Sequence, residues 1–351
     1  MNVYKSNTYM KDLDDTLNYC QWMDCFRDKA ILITGATGLI CSVVVDLLLR
    51  YSELNNGCVR VYVAGRAEEK VRRRFERYYK QDYFVYVQYD ATQENAFEFE
   101  CDYVIHGAGL AFPSSISKYP IETIISSFSG MKELLDYALE QKVKKVLFIS
   151  SSEIYGRRLD VEAYKEEDYG YVDVLHPRAA YPVGKQAAEA LCIAYSTEKG
   201  VPICIARPGH IYGPTATVED NRVSSIFAYQ VARGESPVLK SKGEQRRSYC
   251  YVFDCASGLL KILEKGDSGC AYNVADNSSR VSIYEMSKMY ADCGNVEVQF
   301  AIPTLEEANA FNPMDHSCLD AGKLYRLGWN PLFDVKIGTE HTINALKEMM
   351  I

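Results

Sequence analysis

The sequence predicts an α/β protein, a doubly wound parallel sheet with a smaller mixed α/β lobe toward its C-terminal end. Three observations carry this. A short apolar β-branched run over residues 30–33 passes into a glycine turn, Gly35 to Gly38, and then into a helix that is apolar on almost every face over residues 43–49. Strand-like and helix-like segments then alternate as far as residue 206. After Gly213 the rhythm breaks into shorter segments and longer loops.

Taken in order, residues 1–28 precede the first strand, and residues 12–26 place Leu13, Leu17 and Cys20 on one side of a helix. That pattern predicts a helical arm packed on the body. The second strand is predicted over residues 59–63, followed by a basic helix over 68–80 that includes Arg72, Arg73, Arg74 and Arg77 and reads as a solvated face. The third strand covers 84–89 and ends in Asp90; the fourth covers 103–106 and runs into Gly107-Ala108-Gly109. A long helix over 121–141 leads to the fifth strand, 143–149, which ends in Ser150-Ser151-Ser152. A helix over 181–199 is stopped by Gly200, and residues 202–206 form the sixth strand. Residues 251–264 are expected to return to the main body. The expected organisation is an arm (1–28), a dinucleotide-binding domain (29–210) and a substrate-binding lobe with returning segments (211–351).

Composition excludes several classes. Apolar residues make up 48% and charged residues 25% of the 351 residues, an ordinary balance for a chain able to bury a large core. No apolar run approaches the roughly 18–20 residues of a membrane span. Residues 1–29 are mixed and charged with no signal core, so a cytoplasmic protein is expected. The twelve cysteines are scattered without a C-x-x-C, and the five histidines show no ligand spacing. Buried free thiols such as Cys192, Cys204 and Cys293 are expected, with no metal site. A net charge of −8 argues against nucleic acid as a partner. It also requires that an anionic ligand be held by specific Arg, Lys and backbone N–H groups.

Two places carry chemistry. In the first turn, Gly35 makes the tight bend, Gly38 lets a pyrophosphate approach the backbone, and the following helix offers its N-terminus to an anion. The third glycine of the usual G-x-x-G-x-x-G is Cys41 here, at a position that sets how closely helix and strand pack. The second place joins the strand-end cluster Ser150 to Gly156 with Tyr181 and Lys185, one helical turn apart on one face. A lysine ammonium beside a phenol lowers its pKa from near ~10. With a serine hydroxyl beside it, that phenol is a base for a sugar hydroxyl proton while a nicotinamide takes a hydride.

On these motifs the chain resembles the extended short-chain dehydrogenase/reductase family, in its nucleotide-sugar epimerase/dehydratase branch. The motifs are Thr34 to Ile40, Asp90, His106 to Gly109, Ser151 to Gly156, Tyr181 with Lys185, Arg207 to Pro214, Arg247 to Val252 with Asp254, and Leu327 to Trp329, spanning most of the chain. They look most like those of UDP-glucuronate decarboxylases and dTDP-glucose 4,6-dehydratases. The resemblance implies a Rossmann-type domain in which Gly35, Thr37, Gly38, Leu39 and Ile40 surround the cofactor pyrophosphate. Asp90 and Ala91 would lie by the adenine, and Ala108, Gly109 and Pro208 along the cofactor. It makes Tyr181 the base, with Lys185 lowering its pKa and holding the nicotinamide ribose, and Ser151 sharing the proton of the 4-hydroxyl. Arg247 would reach the phosphates of a nucleotide-sugar substrate, and His210 stands where many relatives contact that substrate with Asn. Ser127 and Ser129 likewise replace asparagines near the cofactor.

The second strand ends in Ala64-Gly65-Arg66 in place of the acid that accepts the ribose 2′-hydroxyl of NAD. The cofactor expected is NADP or NAD, with Arg66 and the missing acid leaning to NADP. The branch opens with oxidation at C4 of the sugar. Dehydratases of this type then present an Asp-Glu pair where this chain has Ser152-Glu153, and Ser-Glu resembles the decarboxylase arrangement. The expected activity therefore passes through a 4-keto intermediate, decarboxylase-like or dehydratase-like. The alternatives are a 4-epimerase, an NADPH-dependent 4-ketoreductase, or a non-catalytic dinucleotide-binding regulator. Relatives commonly dimerise through the helices corresponding to 121–141 and 181–199, so a homodimer is expected, with no membrane partner.

Overall fold

A computed structural model describes residues 2–304, 314 and 316–351. Its strands are Lys29–Thr34 (β1), Val59–Gly65 (β2), Phe84–Gln88 (β3), Tyr103–His106 (β4), Lys145–Ile149 (β5), Ile203–Pro208 (β6), His210–Tyr212 (β7), Val238–Leu239 (β8), Arg246–Tyr251 (β9), Cys270–Val274 (β10), Arg280–Ser282 (β11) and Gln299–Phe300 (β12). Among the described residues, seven of these form one sheet in the order β3-β2-β1-β4-β5-β6-β10, and every pairing in it is parallel. The β-branched and leucine-rich strands suit a sheet covered on both faces. Alternation in β1 shows it directly: Ile31 and Ile33 point into one core and Leu32 into the other, all three fully buried.

Helices build the two covering layers. Asn7–Tyr19 (α1), Leu39–Leu54 (α2), Glu68–Arg74 (α3), Pro113–Lys118 (α4), Pro120–Glu140 (α5) and Ala180–Lys199 (α6) come first. Val223–Ala232 (α7), Val252–Lys265 (α8), Ile283–Gly294 (α9), Gly322–Tyr325 (α10) and Val335–Met350 (α11) follow. α5 and α6 pack on each other over the face that receives Leu32. α8 packs on α2 over the opposite face, which explains why α2 is apolar all round: Val43, Val44, Val45 and Leu48 are fully buried. The returning segment is thus α8 together with β10, the outer strand beside β6. The remaining C-terminal elements form the lobe: a sheet in the order β11-β9-β7, the pair β12-β8, and α7, α9 and α11. No described helix is long and apolar enough to cross a membrane. All twelve cysteines are free; Cys192 and Cys204 are buried, whereas Cys293 is only half-buried.

Two local readings change. The arm is α1 followed by a 3-10 turn, Gln21–Phe26, and its helix begins earlier than residue 12 because the Ser6 hydroxyl caps it by accepting from the Tyr9 N–H. The basic segment is not wholly a solvated face. α3 stops at Arg74 because Phe75 and Tyr78 turn into the core, and the Arg74 guanidinium is drawn inward to the fully buried Asp46 of α2. Tyr4 and Tyr9 of the arm donate to the same carboxylate, and so the arm is tied to the cofactor-side helix. Asp12 of α1 is buried as well, accepting from the Tyr251 hydroxyl at 2.8 Å and lying 2.8 Å from His341 Nδ1 on α11.

Candidate active site

The strand order reverses between β1 and β4, and open α/β sheets bind ligands outside the C-terminal ends of the strands at such a point. A cleft of about 1090 Å³ opens there, wide enough for a dinucleotide with a second ligand. Its floor is the glycine turn. Gly35 adopts φ +66, and a Cβ there would lie 2.6 Å from the Gly107 carbonyl carbon. Gly38 is the N-cap of α2 and brings no capping side chain, so the first-turn N–H groups of Leu39 and Ile40 have no cap. Gly35, Thr37, Gly38, Leu39 and Ile40 all line the cleft. Cys41 fits in place of the third glycine because Gly107 yields the space: a Cβ on Gly107 would sit 2.3 Å from the Cys41 sulfur.

The flanking strand ends complete the cofactor side. Arg66 is exposed at the end of β2, and Asp90 with Ala91 follows β3; Ala108, Gly109 and Pro208 lie beyond β4 and within β6, all on the cleft wall. Asp90 is turned to its own loop, accepting from the Thr92 N–H at 3.0 Å and hydroxyl at 2.8 Å. Ser127 and Ser129 do not reach the cleft: the Ser127 hydroxyl donates to Thr123 O at 2.9 Å within α5, and Ser129 is exposed. Ser126 lines the cleft instead. The Ser150 hydroxyl is buried in the same wall with no hydrogen-bond partner among the described residues. Uncapped helix N–H groups, a glycine turn open to the cleft and an orphaned buried hydroxyl fit a dinucleotide.

The other wall gathers the reactive groups. Ser151 follows β5 by two residues and caps a 3-10 turn, Ser152–Tyr155, by accepting from the Glu153 N–H at 3.2 Å. Tyr181, on the first turn of α6, lines the cleft together with Ser151. Lys185 is buried one turn on; its Nζ donates to Ile149 O at 2.8 Å and lies 4.7 Å from the Phe148 ring centroid. Ser152 is buried beside them, and the Glu153 carboxylate accepts from Arg178 Nη2 at 2.6 Å.

The electrostatics differ from the simple pairing expected of Tyr181 and Lys185. Burial pushes the Tyr181 phenol above its ordinary value and the Glu153 charge adds to this, while the Ser151 side chain, Arg222 and Arg178 pull it down. Lys185 is directed at a backbone carbonyl, and burial lowers its own pKa to about 8. His210 bonds the Ser317 hydroxyl at 2.8 Å, and burial together with Arg247, Arg222 and Arg178 pushes its pKa well below the ordinary value. It lines the cleft. Arg247, also on the wall, donates to the carbonyls of Arg246 and Met314 at 3.0 and 2.9 Å.

The cleft thus brings together the residues named above for cofactor, substrate and catalysis, with the exception of Ser127 and Ser129. It also contains residues the motifs did not reveal, notably Arg178 and Arg222. Arg178 had a local signal, since it lies three residues before Tyr181, on the 3-10 turn Pro177–Ala179 that leads into α6.

This fold and site define an extended short-chain dehydrogenase/reductase. Residues 31–275 match the family model for the NAD dependent epimerase/dehydratase family. The chain belongs to that family and is an NAD(P)-dependent enzyme. It is 29% identical to UDP-glucuronic acid decarboxylase 3 of Arabidopsis thaliana over 317 residues, covering 90% of this chain and 88% of that one. It is 30% identical to UDP-glucuronic acid decarboxylase 6 of the same plant over 311 residues, covering 88% and 86%. Among solved structures, UDP-glucuronic acid 4-epimerase from Bacillus cereus, in complex with UDP-glucuronic acid and NAD, shares the fold at a TM-score of 0.75 and 21% identity, covering 91% of this chain and 99% of that one.

Proposed function

We propose that the enzyme oxidises C4 of a nucleotide-linked uronic acid and then decarboxylates the 4-keto sugar. The observation that carries the reading is the grouping of Ser151, Tyr181 and Lys185 with a single strand-end carboxylate, Glu153, ion-paired to Arg178. The decarboxylases among its relatives support it. A dehydratase needs an acid as well as a base beside Ser151, and the neighbour of Glu153 is the hydroxyl of Ser152.

NAD(P), when bound, supplies the acceptor and then the donor of a hydride at C4. Gly35 to Ile40 would hold its pyrophosphate, and Lys185 its nicotinamide ribose. Ser151 and Tyr181 take the proton of the C4 hydroxyl. The ketone formed is β to the C6 carboxylate, so the C5–C6 bond can break, with carbon dioxide leaving and the electron pair collecting on the C4 oxygen. Ser151 and Tyr181 stand at that oxygen to donate to it. We assign Glu153 to the C5 half of the reaction and Arg247 to the substrate phosphates. Arg66, with no acid at the end of β2, supports NADP over NAD. That observation also favours a second reading, reduction of a 4-keto sugar by NADPH. We further propose a homodimer through α5 and α6, where Ile121 and Ile125 are 73% and 43% exposed.

Two variants test the reaction. Tyr181→Phe keeps the ring and removes the base, and should lower turnover by roughly 10²–10⁴. Glu153→Gln should still reduce bound cofactor on adding UDP-glucuronate, yet stall with the keto sugar and release little carbon dioxide. Product at the parent rate from Glu153→Gln would make the carboxylate structural and leave an epimerase or ketoreductase as the better reading.

A further inference from the structure

Arg178 is 6% exposed and stands in the cleft wall. Its Nη2 donates to Glu153 Oε1 at 2.6 Å. Its Nε and Nη1 are buried and meet no acceptor among the described residues. A guanidinium has five N–H donors, so most of this one lacks a partner, and burying charged donors in that state is costly. The neighbouring cations are differently placed. Arg222 is tied to the buried Asp220, and Arg247 to two backbone carbonyls. Arg178 is therefore the arginine of this wall with buried donors in need of an anion, and its charge is felt by both Tyr181 and His210.

We propose that Arg178 determines substrate specificity by binding the carboxylate of a nucleotide-linked uronic acid, holding it and Glu153 on one guanidinium. The proposal rests on the decarboxylase reading and names the residue that selects its substrate class. Without the shared cation, the two carboxylates would repel each other. A neutral hexose leaves the buried donors unmet, which is the arrangement that discriminates most strongly between otherwise similar ligands. Holding the carboxylate affects binding and selection more than the bond-breaking step, because charge leaves the carboxylate as carbon dioxide departs.

The test measures dissociation constants for UDP-glucuronate, UDP-glucose and UDP by calorimetry, in a Tyr181→Phe background with cofactor bound. Arg178→Gln should weaken UDP-glucuronate by roughly 10- to 100-fold, the scale of a hydrogen bond to a charged group, and leave UDP-glucose and UDP nearly unchanged. Arg178→Lys should keep part of the preference. Glu153→Gln should tighten UDP-glucuronate alone, because it removes the competing anion; a purely structural role for the pair would not produce that sign. Equal weakening of all three ligands by Arg178→Gln, or no tightening by Glu153→Gln, would overturn the proposal. Carbon dioxide release by the otherwise unaltered enzyme is scored separately. Release with no Arg178-dependent preference refutes this site and leaves the decarboxylase reading. An Arg178-dependent preference without release supports the site and refutes that reading.

Discussion

Replacing Gly107 by Ala should disturb the floor of the cofactor cleft through one contact, with Cys41. The added Cβ would lie 2.3 Å from the Cys41 sulfur, 3.2 Å from Ile149 Cδ1 and 3.5 Å from Thr34 O. Non-bonded heavy atoms rest about 3.5–4.0 Å apart, so the sulfur must yield by more than about 1 Å while the other two contacts are tight or ordinary. Cys41 is 3% exposed on α2, between a sheet and a helix, and has little room to move. Overpacking of this kind costs about 1–3 kcal/mol. Cys41→Ala removes the sulfur, keeps a good helix former and should cost about 1 kcal/mol in lost packing. In the double variant the clash is absent, so its loss should be smaller than the sum of the two singles by about 0.5–3 kcal/mol. Urea unfolding of the parent, both singles and the double measures the cycle, and cofactor affinity should follow the same order. Additive losses would show that Gly107 is not kept open by the thiol, and the account of how Cys41 replaces the third glycine would fall.

Three other outcomes are expected. Arg66→Ala should weaken NADP by roughly 10- to 100-fold and NAD much less; equal losses, or tighter binding of NAD than NADP by the parent, would show that Arg66 does not meet a 2′-phosphate. His341 has its pKa raised by the hydrogen bond to Asp12, against the effect of burial. Its contribution to stability is fully present below the ordinary histidine value near ~6.5 and is lost as pH rises through the raised value. His341→Ala should therefore cost about 1–2 kcal/mol in acid and progressively less toward alkaline pH, read from unfolding midpoints; a deficit that is constant or grows with pH contradicts this. Ile125→Asp on the exposed face of α5 should turn a dimer into a monomer by light scattering, and a monomeric parent would refute the interface.

What the sequence made legible was local. The apolar run before Gly35, the glycine turn and the Tyr181–Lys185 spacing each sit within a few residues, so their geometry follows from strand and helix periods alone. The serine cluster at the end of β5 was legible for the same reason. What escaped depends on partners far along the chain. Arg74 read as solvated because its partner Asp46 lies 28 residues away on another helix. Arg178 had only its nearness to Tyr181 as a signal; its pairing did not show because Glu153 is 25 residues away, and only the fold brings the 3-10 turn before α6 against the end of β5. The environment of Tyr181 was likewise beyond pairwise spacing. Burial, one carboxylate, one hydroxyl and two arginines set its pKa together, and Lys185 turns to the Ile149 carbonyl.

The central claim is that C4 oxidation here leads to loss of the sugar carboxylate. The most direct measurement is mass spectrometry of the nucleotide sugars after incubating the purified enzyme with UDP-glucuronate, with UDP-glucose alongside and cofactor present in catalytic amount. The account predicts a product from UDP-glucuronate lighter by one carbon dioxide, no net consumption of cofactor, and no such loss from UDP-glucose. A product of unchanged mass, a product lighter by water, or reduction of an added 4-keto sugar with matching consumption of NADPH and no decarboxylation would contradict it.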